Sequence, residues 1–191
     1  MNAHAIARAI ALQTLARRCV VLVDNCNWTG HECDVLGVTT DLRIIDVEIK
    51  ISRADFRADA AKEKWWQRMY TTNERQADGT WERVGPPDVR RQWPLRVWKH
   101  YFCLPADIWR PEMVEFLPSP ASGVLLISET EGRMARIANP ITVRCERRAR
   151  PNPDAYRLSP EQAVDIARLA NLRMWEAYRA RDAKAVAGTL A

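Results

Sequence analysis

The sequence is short of several things, and each shortage excludes a class of protein. No apolar run approaches the roughly 20 residues that a bilayer-crossing helix needs, so no membrane partner is expected. Arg8, Arg17 and Arg18 interrupt the apolar N-terminal stretch, and no compact apolar block precedes a small-residue cleavage site; a signal peptide is not expected. No CxxC pair occurs. Cys19, Cys26, Cys33, Cys103 and Cys145 are scattered and odd in number, which fits reduced thiols in a cytoplasmic protein. With only three histidines and no close cysteine pairs, a structural zinc site is not expected. No P-loop, GxGxxG or Ser-His-Asp order is present, so nucleotide hydrolysis and acyl transfer have no support. No internal repeat is visible.

What remains is 191 residues of ordinary globular make-up, 47% hydrophobic and 28% charged, which suits one domain and argues against general disorder. A net charge of +5 is a mild bias toward polyanions. Residues 3–18 carry a helical apolar stripe (Ile6, Ile10, Leu12, Leu15). CVVLV at 19–23 reads as a buried strand, 32–38 as a second strand and 43–51 as a third. Ser52 is a fitting N-cap for a helix over 54–70. Residues 71–99 lack periodicity and hold Gly79, Gly85, Pro86, Pro87 and Pro94, which reads as an insertion or long loop. Strands are expected at 100–104 and 123–128. Residues 133–150 read as irregular, partly extended and very basic. The SPEQ start at Ser159 opens a C-terminal helix over 159–183. The order of elements predicts an α/β domain with a mixed sheet.

The third strand carries the chemistry. Ile45, Val47, Ile49 and Ile51 alternate with Asp46, Glu48 and Lys50, so one face packs on a core and the other carries charge at a spacing of roughly 7 Å. A hairpin symmetric about Asp41 would set Asp34 opposite Glu48, Glu32 opposite Lys50, and Leu36 opposite Asp46. Asp34 and Glu48 would then share a face, and a one-residue slip would separate them. Clustered carboxylates with open positions suit Mg²⁺ or Mn²⁺, which polarise a scissile phosphate. A nearby lysine would stabilise the charge that develops in the transition state. The plain alternative is a strand with one solvated, alternating face.

Asp34, then Glu48-Ile49-Lys50, after a helix and a strand and before a helix, resembles the PD-(D/E)XK nuclease superfamily. The stretch EIKISRADFRAD with Lys64-Trp65 and Tyr70, together with KHYFCLPADI and LPSPASGVLLIS, resembles its MmcB-like group of DNA repair nucleases. The resemblance spans roughly residues 3–70 and 100–180. It implies a restriction-endonuclease-like core: helix, three-stranded meander, helix and strand in a mixed sheet, here with an inserted lobe and a C-terminal helix. It implies Asp34, Glu48 and the main-chain carbonyl of Ile49 as metal ligands and Lys50 as the catalytic lysine. Cys33 stands where the superfamily usually has proline. No acid is available from the first helix, so either Glu32 substitutes or the role is absent.

The resulting expectation is a Mg²⁺-dependent (or Mn²⁺-dependent) DNA endonuclease of repair or recombination, with DNA as partner and a homodimer as an option because nucleases of this fold often pair to cut two strands. Supporting candidates are Glu32, Asp46, Ser52 and Asp55. Candidates for DNA contact are Lys64, Tyr70, Arg90, Arg91, Arg144, Arg147 and Arg148, with Trp81, Trp93 and Trp98 available to stack on bases. Replacing Glu48 by Gln or Lys50 by Ala is expected to abolish cleavage and leave folding nearly unchanged. Two alternatives stand beside it: a non-catalytic DNA-binding protein of the same fold, and a module whose tryptophan-rich lobe docks a protein. His31, two residues before Cys33 and three before Asp34, is within reach of the metal, but a water-facing turn is the expectation.

Overall fold

The computed structural model describes residues 3–130 and 140–189. Its centre is a six-stranded mixed sheet. In chain order the strands are β1 (Cys19–Cys26), β2 (Cys33–Thr39), β3 (Ile44–Ile49), β8 (Val97–Pro105), β9 (Gly123–Glu129) and β10 (Ile141–Arg147), and they lie side by side in that order. β1, β2 and β3 form an antiparallel meander, β8 runs parallel to β3, β9 parallel to β8, and β10 closes the edge antiparallel to β9. The α/β class and the mixed sheet expected from the order of elements are therefore observed. The hairpin register is observed from Val35 to Val38, with Leu36 opposite Asp46 and Val35 opposite Val47, but the pairing stops short of the expected Asp34–Glu48 and Glu32–Lys50 pairs.

Period-two alternation sends the two faces of the sheet to different cores. On one face, Ile6 and Ile10 of α1 (Ala3–Ile10) pack with Val35, Ile45, Val47, Ile49, Tyr101, Cys103 and Leu125. Full burial of each such isoleucine contributes about 1.5–3 kcal/mol. A π-helical turn over Ala11–Leu15 continues α1 and lays the buried Leu15 on the same core. On the other face, Ile166 of α3 (Pro160–Thr189) and Leu158 cover Val23, Leu36, Val38 and Ile44. Beside them Phe56 of α2 (Arg53–Ala58) and Trp65 pack on Phe102, Leu104, Val124 and Leu126.

Three expectations change. The helix expected over 54–70 is only α2, followed by 3₁₀ turns at Asp59–Ala61 and Glu63–Trp65 and then β4 (Trp66–Gln67). Lys62 leaves helical geometry at ψ 145°, and this lets both Asp59 and Trp65 turn into the interior. The insertion is not a bare loop. β4 pairs with β7 (Val89–Arg90), and β5 (Thr72–Arg75) pairs with β6 (Trp81–Val84) as a hairpin. Its turn needs the φ of +85° at Gly79, where an L side chain is strained. The basic stretch at 140–150 is an ordered edge strand, β10, while residues 133–139 of the expected irregular segment lie outside the described residues. Among the described residues no helix is long and apolar enough to cross a membrane.

Candidate functional site

β3 ends at the centre of the sheet, and its alternation decides what gathers there. Asp46, Glu48 and the following Lys50 point away from the α1 core, toward α2 and the 3₁₀ turns. Their exposures are 0%, 3% and 3%, so the solvated-face alternative does not describe them. Lys50 Nζ lies 2.9 Å from Glu48 Oε2 and 2.9 Å from Asp59 Oδ1. Lys64 Nζ lies 2.6 Å from Glu48 Oε1 and 3.6 Å from Asp59 Oδ2. The half-exposed Lys62 reaches Asp59 at 2.9 Å and Glu48 at 3.7 Å. Trp65 donates its indole N–H to Asp59 Oδ2 at 2.9 Å, which fixes the 3₁₀ turns beneath the cluster.

Burial opposes every charge in this cluster, and the neighbours reverse that. Burial alone would lower the Lys50 pKa, but Glu48 and Asp59 raise it above the ordinary lysine value. Lys64 is raised in the same way, by Asp46, Glu48 and Asp59. Burial would raise Asp59, but Lys64, the Trp65 N–H, Lys50 and Lys62 hold it well below the carboxylate range. Lys50 is thus a fixed ammonium and is not available as a general base.

Asp34 sits at the fork where β2 peels away from β3. The pairing begins at Val35↔Val47, and Asp34 Oδ2 accepts the N–H of Ile49 at 2.6 Å in place of a β2 carbonyl. In an extended residue the N–H and C=O point to the same side, so the Ile49 carbonyl also faces the fork. Burial, with Glu48 and Asp46 in support, raises the Asp34 pKa against the lowering effect of the Ile49 N–H. Asp34 opens on a cleft of about 400 Å³ beside α1, lined also by His4, Asp24, Ile49, Ile51 and Asp55. Glu48 opens instead on a cleft of about 380 Å³ lined by Thr29, His31, Glu32, Lys62, Lys64 and Arg91.

The expected set is therefore brought together only in part. Glu48 and Lys50 are in contact, and Asp34 stands next to the Ile49 carbonyl, but the two carboxylates open on different clefts. The local departure is at Cys33, whose side chain turns to the Asp46 side while Val35 stays in the α1 core. The donors at the fork, a carboxylate and a carbonyl with two further aspartates lining the same cleft, are hard oxygens and fit Mg²⁺. Asp34 and the Ile49 carbonyl would hold the ion. Glu48, already balanced by three ammonium groups, does not join them in this arrangement.

The supporting residues divide similarly. Asp55 lines the Asp34 cleft and Glu32 the Glu48 cleft. Ser52 serves as the N-cap of α2, its hydroxyl accepting the Asp55 N–H at 3.1 Å. Of the expected DNA contacts, Lys64 is buried, paired with Glu48 at 2.6 Å, and lines the Glu48 cleft. Tyr70 is 86% exposed. Arg90 is exposed and lies over the Trp66 ring, and Arg91 lines the Glu48 cleft. Arg144 is exposed and paired with Glu146, Arg148 is exposed, and half-buried Arg147 donates to the Pro120 carbonyl. In the lobe Trp81 is 70% exposed.

Sequence reasoning missed Asp24 and His100; Asp59 as support for Lys50 and His31 near a metal are readings it offers but ranks below a helix-start acid and a water-facing turn. Asp24 comes from β1, through the Asp24↔Val35 pairing. His31 lies in a partly exposed turn but its ring turns inward, with Nε2 3.2 Å from Asp46 Oδ2. His100 pairs with Asp46 across β3 and β8 and is fully buried. Burial depresses its pKa to about 4, against the pull of Asp46, and keeps the ring neutral at pH 7. Only the strand register could have placed them together.

Comparison with protein-family models and with curated proteins finds no match. Among solved structures the chain is similar to the SPO1766 protein of unknown function from Silicibacter pomeroyi, with 18% identity over 95% of this chain and 90% of that one and a TM-score of 0.50. At that identity the likeness speaks for a shared fold alone.

Proposed function

We propose that this chain is a metal-dependent DNA endonuclease with a restriction-endonuclease-like core, of the kind used in repair or recombination. The observation that carries the reading is the fork between β2 and β3. There Asp34 is bonded to the N–H of Ile49, and Ile49 lies between the buried Glu48 and Lys50. The meander followed by a parallel β8, with helices on both faces, supports the same core.

Mg²⁺, when bound, would supply a Lewis acid for the scissile phosphate and a water acidic enough to attack near neutral pH. The chain's own residues do the rest. Asp34 and the Ile49 carbonyl offer oxygens at the fork. Lys50 and Lys64 hold a fixed positive potential behind β3, and Glu48 with Asp59 keeps those ammonium groups in place. Tyr70, Trp81, Arg90 and Arg148 are exposed for contact with backbone and unpaired bases.

The test is cleavage of labelled single-stranded, duplex, nicked, flapped and four-way DNAs with Mg²⁺ or Mn²⁺, comparing the parent with Asp34→Asn. Cleavage by the parent and its loss in the variant is the expected result; equal cleavage by both would remove the site assignment. One observation favours a second reading, DNA binding without cleavage: the Glu48 carboxylate is already neutralised by lysines. That reading requires salt-sensitive binding with no cleavage under either ion.

A further inference from the structure

We propose that His31, Cys33 and Asp46 form a second, separate metal site that takes a borderline-soft transition ion of the Zn²⁺ class. One ligand atom from each of the three lies within 4.8 Å of the others. A zinc ion sits about 2.3 Å from sulfur and about 2.0 Å from nitrogen or oxygen, so small side-chain rotations close the set. Thiolate, imidazole and carboxylate together select Zn²⁺ over the all-oxygen preference of Mg²⁺.

A second observation points to a ligand. Asp46 is fully buried, and its Oδ1 has no hydrogen-bond partner among the described residues. A buried carboxylate oxygen left unpaired is costly and calls for a cation or a donor. His100 is also fully buried. Its Nδ1 is 3.1 Å from Ser122 Oγ, while its Nε2 lacks a hydrogen-bond partner and faces Asp46 Oδ2 at 3.8 Å. Thr29 Oγ1 lies 3.3 Å from His31 Nδ1, 3.4 Å from His31 Nε2 and 3.4 Å from Cys33 Sγ, and so packs against two of the three ligands.

Binding would release the Cys33 thiol proton, since the thiolate is the ligand form, and Zn²⁺ held by one thiolate and one carboxylate is neutral at the ion itself. Access is through the cleft lined by Thr29, His31, Glu32 and Glu48. The site shares no ligand with the fork, so it stands whether or not the chain cuts DNA.

The experiment is a titration of the full chain, carrying Cys145→Ser to remove the exposed thiol, with Zn²⁺ against a chromophoric chelator and with Co²⁺ followed by absorbance. The expected result is one equivalent of Zn²⁺, a thiolate-to-cobalt charge-transfer band and intense visible bands of a four-coordinate ion. His31→Ala, at a partly exposed turn, and Cys33→Ser should each weaken Zn²⁺ by more than about 100-fold, beyond the 10–100-fold typical of orienting residues. Asp34→Asn should leave it unchanged. No Zn²⁺ bound, or binding that both His31→Ala and Cys33→Ser leave intact, would overturn the site.

Discussion

The two sides of the β3 terminus make opposite uses of carboxylates. On the α1 side, Asp34 shares its cleft with Asp24 and Asp55 and accepts a peptide N–H, with no lysine lining the space. On the other side, Asp46, Glu48 and Asp59 are buried among Lys50, Lys62, Lys64 and two histidines. A single strand separates them. The first side sets three aspartates against His4, 3.6 Å from Asp24, and suits binding a hard cation; on the second, Glu48 and Asp59 are matched by lysines and hold the fold, while Asp46 faces the histidines and Cys33. The lesson is that a D-x-E-x-K alternation does not by itself say which carboxylate is free for chemistry.

The largest expected effect tests the neutralised side. Lys64→Met leaves Glu48 and Asp59 short of a buried partner, and breaking a buried pair costs about 3–5 kcal/mol. Urea unfolding should show this as a lower midpoint at unchanged slope. Glu48→Gln should also destabilise the chain, in contrast to the small folding effect expected from sequence alone, because Glu48 is a buried partner of both Lys50 and Lys64. The α1 side should behave the other way round. Asp34→Asn keeps an acceptor for the Ile49 N–H, so unfolding should barely change while metal-dependent cleavage falls at least about 100-fold.

A smaller effect is local to α2. Ser52→Ala removes the cap on the Asp55 N–H and should cost about 1 kcal/mol, measured by thermal melting. Acid sharpens the contrast further. Asp59 is depressed in the folded state, so its contribution is fully present above its unfolded pKa of 3.8 and is lost as pH falls through its lower folded value. Stability measured from pH 5 downward should therefore drop with a steeper slope in the parent than in Asp59→Asn. The smallest stability effect should be at Trp81→Ala, within about 0.5 kcal/mol for an exposed position, while affinity for single-stranded DNA measured by fluorescence anisotropy falls if the lobe stacks on bases.

Much of the fold was legible because it rests on local periodicity. Asp41 centres the hairpin, and the alternation around it sets Leu36 against Asp46 as read. Ser52 announces the start of α2. The end of α2 was not legible, because it is decided by Asp59 and Trp65 turning inward to meet Lys50, Lys64 and Phe102, contacts distant in sequence. The site was legible as residue types and only partly as geometry. The shared face of Asp34 and Glu48 follows from ideal pairing, and the strand departs from ideal pairing at Cys33 and Asp34, where β2 leaves β3. His31, Cys33, Asp46 and His100 come from three neighbouring strands and the turn before β2, and no spacing rule along the chain brings them together.

The most direct test of the two-sided account is to measure Mn²⁺ binding by paramagnetic resonance and Zn²⁺ binding by chelator competition on the parent, Asp34→Asn and Cys33→Ser. The account predicts that Asp34→Asn loses Mn²⁺ and keeps Zn²⁺, and that Cys33→Ser loses Zn²⁺ and keeps Mn²⁺. Loss of both ions in either folded variant, or of neither, would contradict it.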